Sequence, residues 1–217
     1  MAGTHLSTPS AVASPGSPVH RVSFPGFSAS RGPVPDENEI VAPRDYIIDP
    51  SAYDVSRVIA DITEIRQWNR QRFEMEQLTA IVFEDRSRGL CVGYKDVTPD
   101  EFWVRGHFPE VAVMPGVMMC EAAAQLSSYF TQKYNLLDAK MIGFGGMEDV
   151  RFREPVRPGD RLVITVERIR VRPRAMIVCR FQGLVRDIIV VDGVIKGVPL
   201  PVDFLVQSAT AGNAHAG

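Results

Sequence analysis

PGVMMCEAAAQLSSYFTQKY, residues 115–134, is the stretch whose reading decides the fold. As a helix it is apolar or small at most positions on every side, which predicts burial over most of its circumference. Glu121 stands near its middle and is the only acidic residue between Val111 and Leu137. Gln125 follows one turn later and Ser128 one turn further, so a narrow polar stripe runs down an otherwise apolar core helix.

The flanks read mostly as strands. QLTAIVFED (77–85) and GLCVGYKDV (89–97), split by a polar break, suggest a hairpin, and EFWVRG (101–106) reads as a further strand. After the helix come MIGFGGMEDVRFRE (141–154), RLVITVERIRV (161–171), AMIVCRFQGLVRD (175–187) and IIVVDGVIKGVPL (188–200). Arg157-Pro158-Gly159-Asp160 is a turn signature. Asp192-Gly193 is either a tight hairpin turn or a bulge in one long strand. Upstream, Asp49-Pro50 is a helix start, and Val55, Val58, Ile59, Ile62 and Ile65 recur at helical spacing, which predicts an amphipathic helix over about 51–70. The fold class is therefore α+β, an antiparallel β-sheet wrapped around a long central α-helix with an extra N-terminal helix, the hot-dog arrangement.

Composition limits the organisation and the partners. The chain has 217 residues, 45% hydrophobic and 23% charged, with a net charge of −2, which is ordinary globular composition without the basic excess of a nucleic-acid binder. No run of about 18 apolar residues occurs, so no membrane-spanning helix is expected. Residues 1–45 hold 7 of the 16 prolines and 7 serines, and are expected to be a disordered extension. They lack the basic start and apolar core of a secretory signal. Before Asp36 the segment is Ser-rich, with no acidic residue and only Arg21 and Arg31, so an organelle transit peptide is the lesser alternative to a cytoplasmic location. The folded domain is placed at 46–204, with its helical lead-in at 50–70 and a loose tail over 205–217. Cys91, Cys120 and Cys179 lie far apart in apolar stretches and are expected to be buried, inert thiols; no metal-ligand spacing is present.

Of four histidines, only His107 falls in the expected domain. It stands in Arg105-Gly106-His107-Phe108-Pro109-Glu110, just before the core helix. His107 and Glu121 are 14 residues apart, yet a loop feeding the helix, or a symmetry-related copy, can bring them to one cleft. An imidazole, with an unperturbed pKa near ~6.5, exchanges protons at neutral pH, and apolar burial favours the protonated form of a carboxyl group. The first free amides of the helix, at Gly116 and Val117, offer a cradle for an oxyanion. The competing structural readings are a capping role for His107 and an ion pair of Glu121 with Arg105, Arg151 or Arg153.

The run from His107 to Gln125, HFPEVAVMPGVMMCEAAAQ, resembles the signature of the FabZ-type (3R)-hydroxyacyl-[acyl-carrier-protein] dehydratases, roughly HFPGxPxxPGVxxxEAxAQ, without a gap. Gly143-Phe144 through Asp160 resembles that family's second motif segment, and the resemblance spans about residues 75–200. It implies a hot-dog domain working as a dimer or trimer of dimers, each site taking its histidine from one subunit and its glutamate from the other. On that pattern His107 handles the α-proton of a 3-hydroxyacyl thioester and Glu121 assists departure of the 3-hydroxyl. The Gly116 amide holds the thioester carbonyl, and Gln125 orients Glu121. The resemblance implies no metal or redox cofactor, because the substrate rides on the phosphopantetheine arm of an acyl carrier protein. Arg151, Arg153 and Arg157 are docking candidates for that acidic partner. The chain departs from the pattern at Glu110 and Ala112, where glycine and proline are frequent, and over Arg72 to Ala80. A hot-dog thioesterase and a non-catalytic acyl-thioester binder are the rival readings.

Overall fold

The computed structural model of the protein describes residues 46–201. Its elements are α1 (Ile62–Trp68), β1 (Ala80–Asp85), β2 (Leu90–Asp96), α2 (Gly116–Lys133), β3 (Ile142–Phe152), β4 (Arg161–Arg172), β5 (Met176–Val185) and β6 (Ile188–Pro199). The strands form one sheet in the order β1-β2-β4-β5-β6-β3, every neighbouring pair antiparallel. The expectations for residues 1–45 and 205–217 lie outside the described residues.

The sheet is built around α2. Met119, Cys120, Ala122, Ala123, Leu126, Tyr129 and Phe130 of that helix are buried, and Leu162, Ile164 and Val166 of β4, Phe181 of β5 and Ile195 of β6 meet them in one cluster. The alternation in β4 puts every second side chain on this face, as the pleat requires. Each such side chain contributes roughly 1.5–3 kcal/mol by leaving water. Contact is close enough to exclude a side chain at one crossing: a Cβ on Gly93 would lie 2.9 Å from the Ala80 carbonyl oxygen and 3.1 Å from Leu126 Cδ1. The helix ends where Asn135 turns left-handed, with φ of 47°. Among the described residues no helix is long and apolar enough to cross a membrane.

Two local expectations are corrected and one open choice is decided. The helix expected over 51–70 is a single 3₁₀ turn at Pro50–Ala52 and the seven-residue α1. Asp49 does accept from the Ser51 amide, but the turn stops there, and Asp61 is the residue that caps α1 through the Thr63 and Glu64 amides. Between them Ala60 bridges to Ile81 as a strand residue would, and the sheet wins over the helical pattern. EFWVRG is not a strand. Trp103 sinks into the core while the Val104 and Gly106 amides close turns on Glu101 and Trp103, so alternation there reflects one anchored side chain. Asp192-Gly193 is not a hairpin turn. The β5–β6 turn falls at Arg186 and Asp187, both at positive φ, and β6 runs through Gly193 unbroken. The irregularity lies opposite, in β3 between Glu148 and Arg151.

The opening residues cover the other face of the sheet. Ile47 and Ile48 pack on Val82, Leu90, Val92 and Tyr94, and the Ile47 amide donates to Gln182 Oε1 at 2.8 Å.

The C-terminal end of α2 holds a buried polar knot. Glu84 of β1 accepts from the Tyr129 hydroxyl (2.7 Å), the Tyr134 hydroxyl (2.7 Å) and Lys133 Nζ (3.0 Å). Burial and this carboxylate together push both tyrosines up, Tyr134 to about 12. Glu84→Ala takes the acceptor from both tyrosine hydroxyls and the counter-charge from Lys133, which keeps only its bond to the Tyr129 hydroxyl (2.8 Å), and should cost about 3 kcal/mol. For a chain of this size that lowers Tm by roughly 6–12 °C, which calorimetry would read.

Candidate active site

His107 closes the turns anchored by Trp103. Its amide donates to the Trp103 carbonyl (2.8 Å), its carbonyl accepts from the Val113 amide (2.9 Å), and Phe108 and Val111 exchange backbone bonds (3.0 and 3.1 Å). The imidazole stacks on the Phe108 ring, with centroids 4.1 Å apart. Its Nδ1 lies 2.8 Å from the Val113 carbonyl oxygen. A carbonyl only accepts, so Nδ1 carries the ring proton, and the neutral imidazole keeps its lone pair on Nε2. The tautomer is thus set by a backbone group that no side-chain pattern reveals. Glu110 is exposed and takes no part in holding the ring.

Pro115 starts α2 without a side-chain cap. The Met118 amide turns back to the Pro115 carbonyl (2.9 Å), while the Gly116 and Val117 amides find no acceptor among the described residues. These are the two amides the sequence marks for an oxyanion. The space a side chain at 116 would fill is already taken, since a Cβ there would lie 2.8 to 3.0 Å from the Phe152 ring of β3. A side chain at 116 would displace the half-exposed Phe152 ring from the start of the helix, and glycine leaves the backbone open there. His107, Gly116, Val117 and Phe152 line an open cleft of about 480 Å³, with Arg153 on its wall.

Glu121 lies one and a half turns into α2 and forms no ion pair with Arg105, Arg151 or Arg153. Its Oε1 accepts from Gln125 Nε2 at 2.8 Å and from Gln71 Nε2 at 3.4 Å. Gln125 is 2% exposed and held on all sides: its second N–H donates to the Met75 carbonyl (2.6 Å), its own Oε1 accepts from the Gln77 amide (2.9 Å), and its backbone carbonyl accepts from Asn69 Nδ2 (2.9 Å). Gln71 and Asn69 escape a sequence reading, because their contacts span 50 and 56 residues. Glu121, Gln71, Ala124, Ser128 and Thr131 line a narrow cavity of about 80 Å³ along α2, walled by Phe144 of β3.

Within one chain, then, His107 and Glu121 line different cavities. Both cavities reach β3, which among the described residues pairs only with β6 and presents Phe144, Met147 and Phe152 to solvent at 43–52% exposure. Phe73, beside the Gln71 segment, is 85% exposed. Arg151, Arg153 and Arg157 are all exposed but not equivalent. Arg153 pairs with Asp192 at 2.9 Å, Arg151 lines the outer groove of β3, β5 and β6, and Arg157 sits in the turn before β4 with its amide on Asp160. The three cysteines are buried and unpaired, and burial pushes the Cys120 thiol up to about 11, far from a nucleophile's range. Among the described residues no group of three or more His, Cys, Asp or Glu converges as a metal site.

Comparison with known proteins adds a family to this geometry. The model of the FabA-like domain matches residues 69–193, more than half of the chain. The 3-hydroxyacyl-[acyl-carrier-protein] dehydratase FabZ of Clostridium botulinum is 35% identical over 112 residues, covering 52% of this chain and 77% of that protein. The Clostridium novyi enzyme of the same name is 38% identical over 116 residues, 54% of this chain and 76% of its own. The Bacillus cytotoxicus enzyme reaches 46% over 91 residues, 42% of this chain and 63% of its own. Among solved structures, a chain of the dehydratase heterocomplex ApeI:P from Xenorhabdus doucetiae superposes with a TM-score of 0.54 at 13% identity, covering 67% of this chain and 96% of that one, a likeness of fold.

Proposed function

This chain belongs to the FabA-like family, and from that premise we propose that it is a FabZ-type dehydratase, removing water from (3R)-hydroxyacyl-[acyl-carrier-protein] thioesters to give trans-2-enoyl thioesters. The observation that carries the reading is the pair of prepared groups. One is an imidazole whose basic Nε2 is fixed by the Val113 carbonyl, and the other is a carboxylate held at Oε1 by amides with Oε2 unclaimed.

The chemistry follows from these positions. The Nε2 lone pair of His107 takes the proton from C2 of the acyl chain. Negative charge that gathers on the thioester oxygen meets the unpaired amides of Gly116 and Val117 at the positive end of α2. The C3–O bond breaks as the C2–C3 double bond forms; the Glu121 carboxyl group, protonated at Oε2, gives its proton to the departing hydroxyl, which leaves as water, and the proton that His107 took from C2 returns to Glu121 through solvent. The proton lost at C2 and the hydroxyl lost at C3 balance as one water, so the step consumes no oxidant, reductant or cofactor.

Because the two groups line separate cavities in one chain, the working site needs two copies. The free edge of β3 and its exposed Phe144, Met147 and Phe152 are the surface on which the second copy closes. Arg153, on the wall of the His107 cleft, and Arg151 beside it are the cations that face an acidic carrier protein, which brings the substrate on its phosphopantetheine arm. The buried unpaired thiols suit a reducing compartment, the cytoplasm.

The reverse reaction provides the test. Purified protein should hydrate a crotonyl thioester, read as loss of the conjugated enoyl thioester absorbance. Release of free thiol without hydration would instead identify a thioesterase. Wild-type protein that does neither, with carrier-protein and coenzyme A thioesters of several lengths, overturns the reading.

A further inference from the structure

The strand of chain between α1 and β1 does more than lead into the sheet. Residues 69–77 place four groups on the polar stripe of α2: Asn69 on the Gln125 carbonyl, the Met75 carbonyl and Gln77 amide on the Gln125 carboxamide, and Gln71 on Glu121. The Gln125 amide has no freedom to flip. Met75 offers only an acceptor and Gln77 only a donor, so its nitrogen must face Glu121. Gln71 adds a second N–H to the same oxygen at 3.4 Å, from 50 residues upstream. No hydrogen bond from any described residue reaches Glu121 Oε2, although the carboxylate borders the cavity.

We infer that Gln71 is a positioning residue that acts with Gln125 to hold Oε1 of Glu121 and so commits Oε2 to the reacting hydroxyl. The inference rests on the dehydratase reading and deepens it by dividing the two oxygens between structure and chemistry. A carboxylate held by one amide still rotates about its terminal torsion, whereas donors from two elements fix its plane. The Gln71 bond, the longer of the two, is the one that tightens when substrate fills the site. The N-terminal lead-in thereby becomes part of the active site.

The test compares wild type, Gln71→Leu and the near-isosteric Gln71→Glu in the hydration assay, each also in a Glu121→Gln background. Gln71 is partly exposed at the end of a loop, so both variants should keep the wild-type Tm. Loss of alignment should lower kcat about tenfold with KM within about twofold. In the Glu121→Gln background the same substitutions should change the residual rate by less than about twofold, because the group they position is gone. If the effects multiply there, or if kcat of both single variants stays at wild type while wild type itself is active, the positioning role is overturned and the dehydratase reading stands. If wild type shows no hydration, the reading falls and takes the inference with it.

Discussion

Replacing His107 with alanine should lower the hydration rate at least about 10²-fold, within the usual span for losing a general base. His107 is the only histidine among the described residues. Its ring is partly exposed, and its one polar contact is to the Val113 carbonyl, so truncation leaves the core intact. The loop keeps its backbone bonds to Trp103 and Val113, and the variant should match wild type in circular dichroism and in size on a calibrated column. An alanine variant with at least a third of the wild-type rate would show that the imidazole moves no proton in the reaction.

The Glu121→Gln variant should lose a similar amount, about 10²-fold, and for a sharper reason. Glutamine has the same shape, and its carbonyl oxygen can accept the bonds from Gln125 and Gln71 that Glu121 Oε1 accepts now. The network survives, and only the capacity of the second oxygen to exchange a proton disappears. Tm should therefore stay within about 2 °C, since the isosteric change keeps both hydrogen bonds at a partly buried position. A large drop in Tm together with lost rate would mean that Glu121 serves folding, and an unchanged rate would remove it from the chemistry.

How much of this was legible in the residues depends on the range of the contact involved. The burial of α2 and its polar stripe follow from a periodicity of 3.6, and that pattern survives because the helix is covered on nearly all sides. A strand was most legible where one of its faces meets the helix, as in β4, whose Leu162, Ile164 and Val166 join the core around α2. Val55, Val58 and Ile59 satisfied a helical spacing, but Val58 and Ile59 stay 47% and 43% exposed, and the chain pairs Ala60 with Ile81 instead. Trp103 imitated strand alternation while anchoring a turn. Of the two partners of Glu121, Gln125 lies one turn along the same stripe and is the one the family resemblance implies, whereas Gln71 was beyond any local reading. Arginines were the obvious candidates by charge, yet the fold supplies neutral carboxamides, one from the next turn and one from 50 residues upstream. The tautomer of His107 was equally hidden, because a backbone carbonyl sets it.

On the proposed mechanism the imidazole of one copy and the carboxyl group of another serve a single substrate. Mixing inactive His107→Ala and Glu121→Gln proteins under conditions that exchange subunits tests it directly. Random pairing makes about half of the dimers mixed, each with one intact pair out of two, so the account predicts about a quarter of the wild-type rate. Mixed dimers seen by native mass spectrometry but no faster than either parent would contradict it.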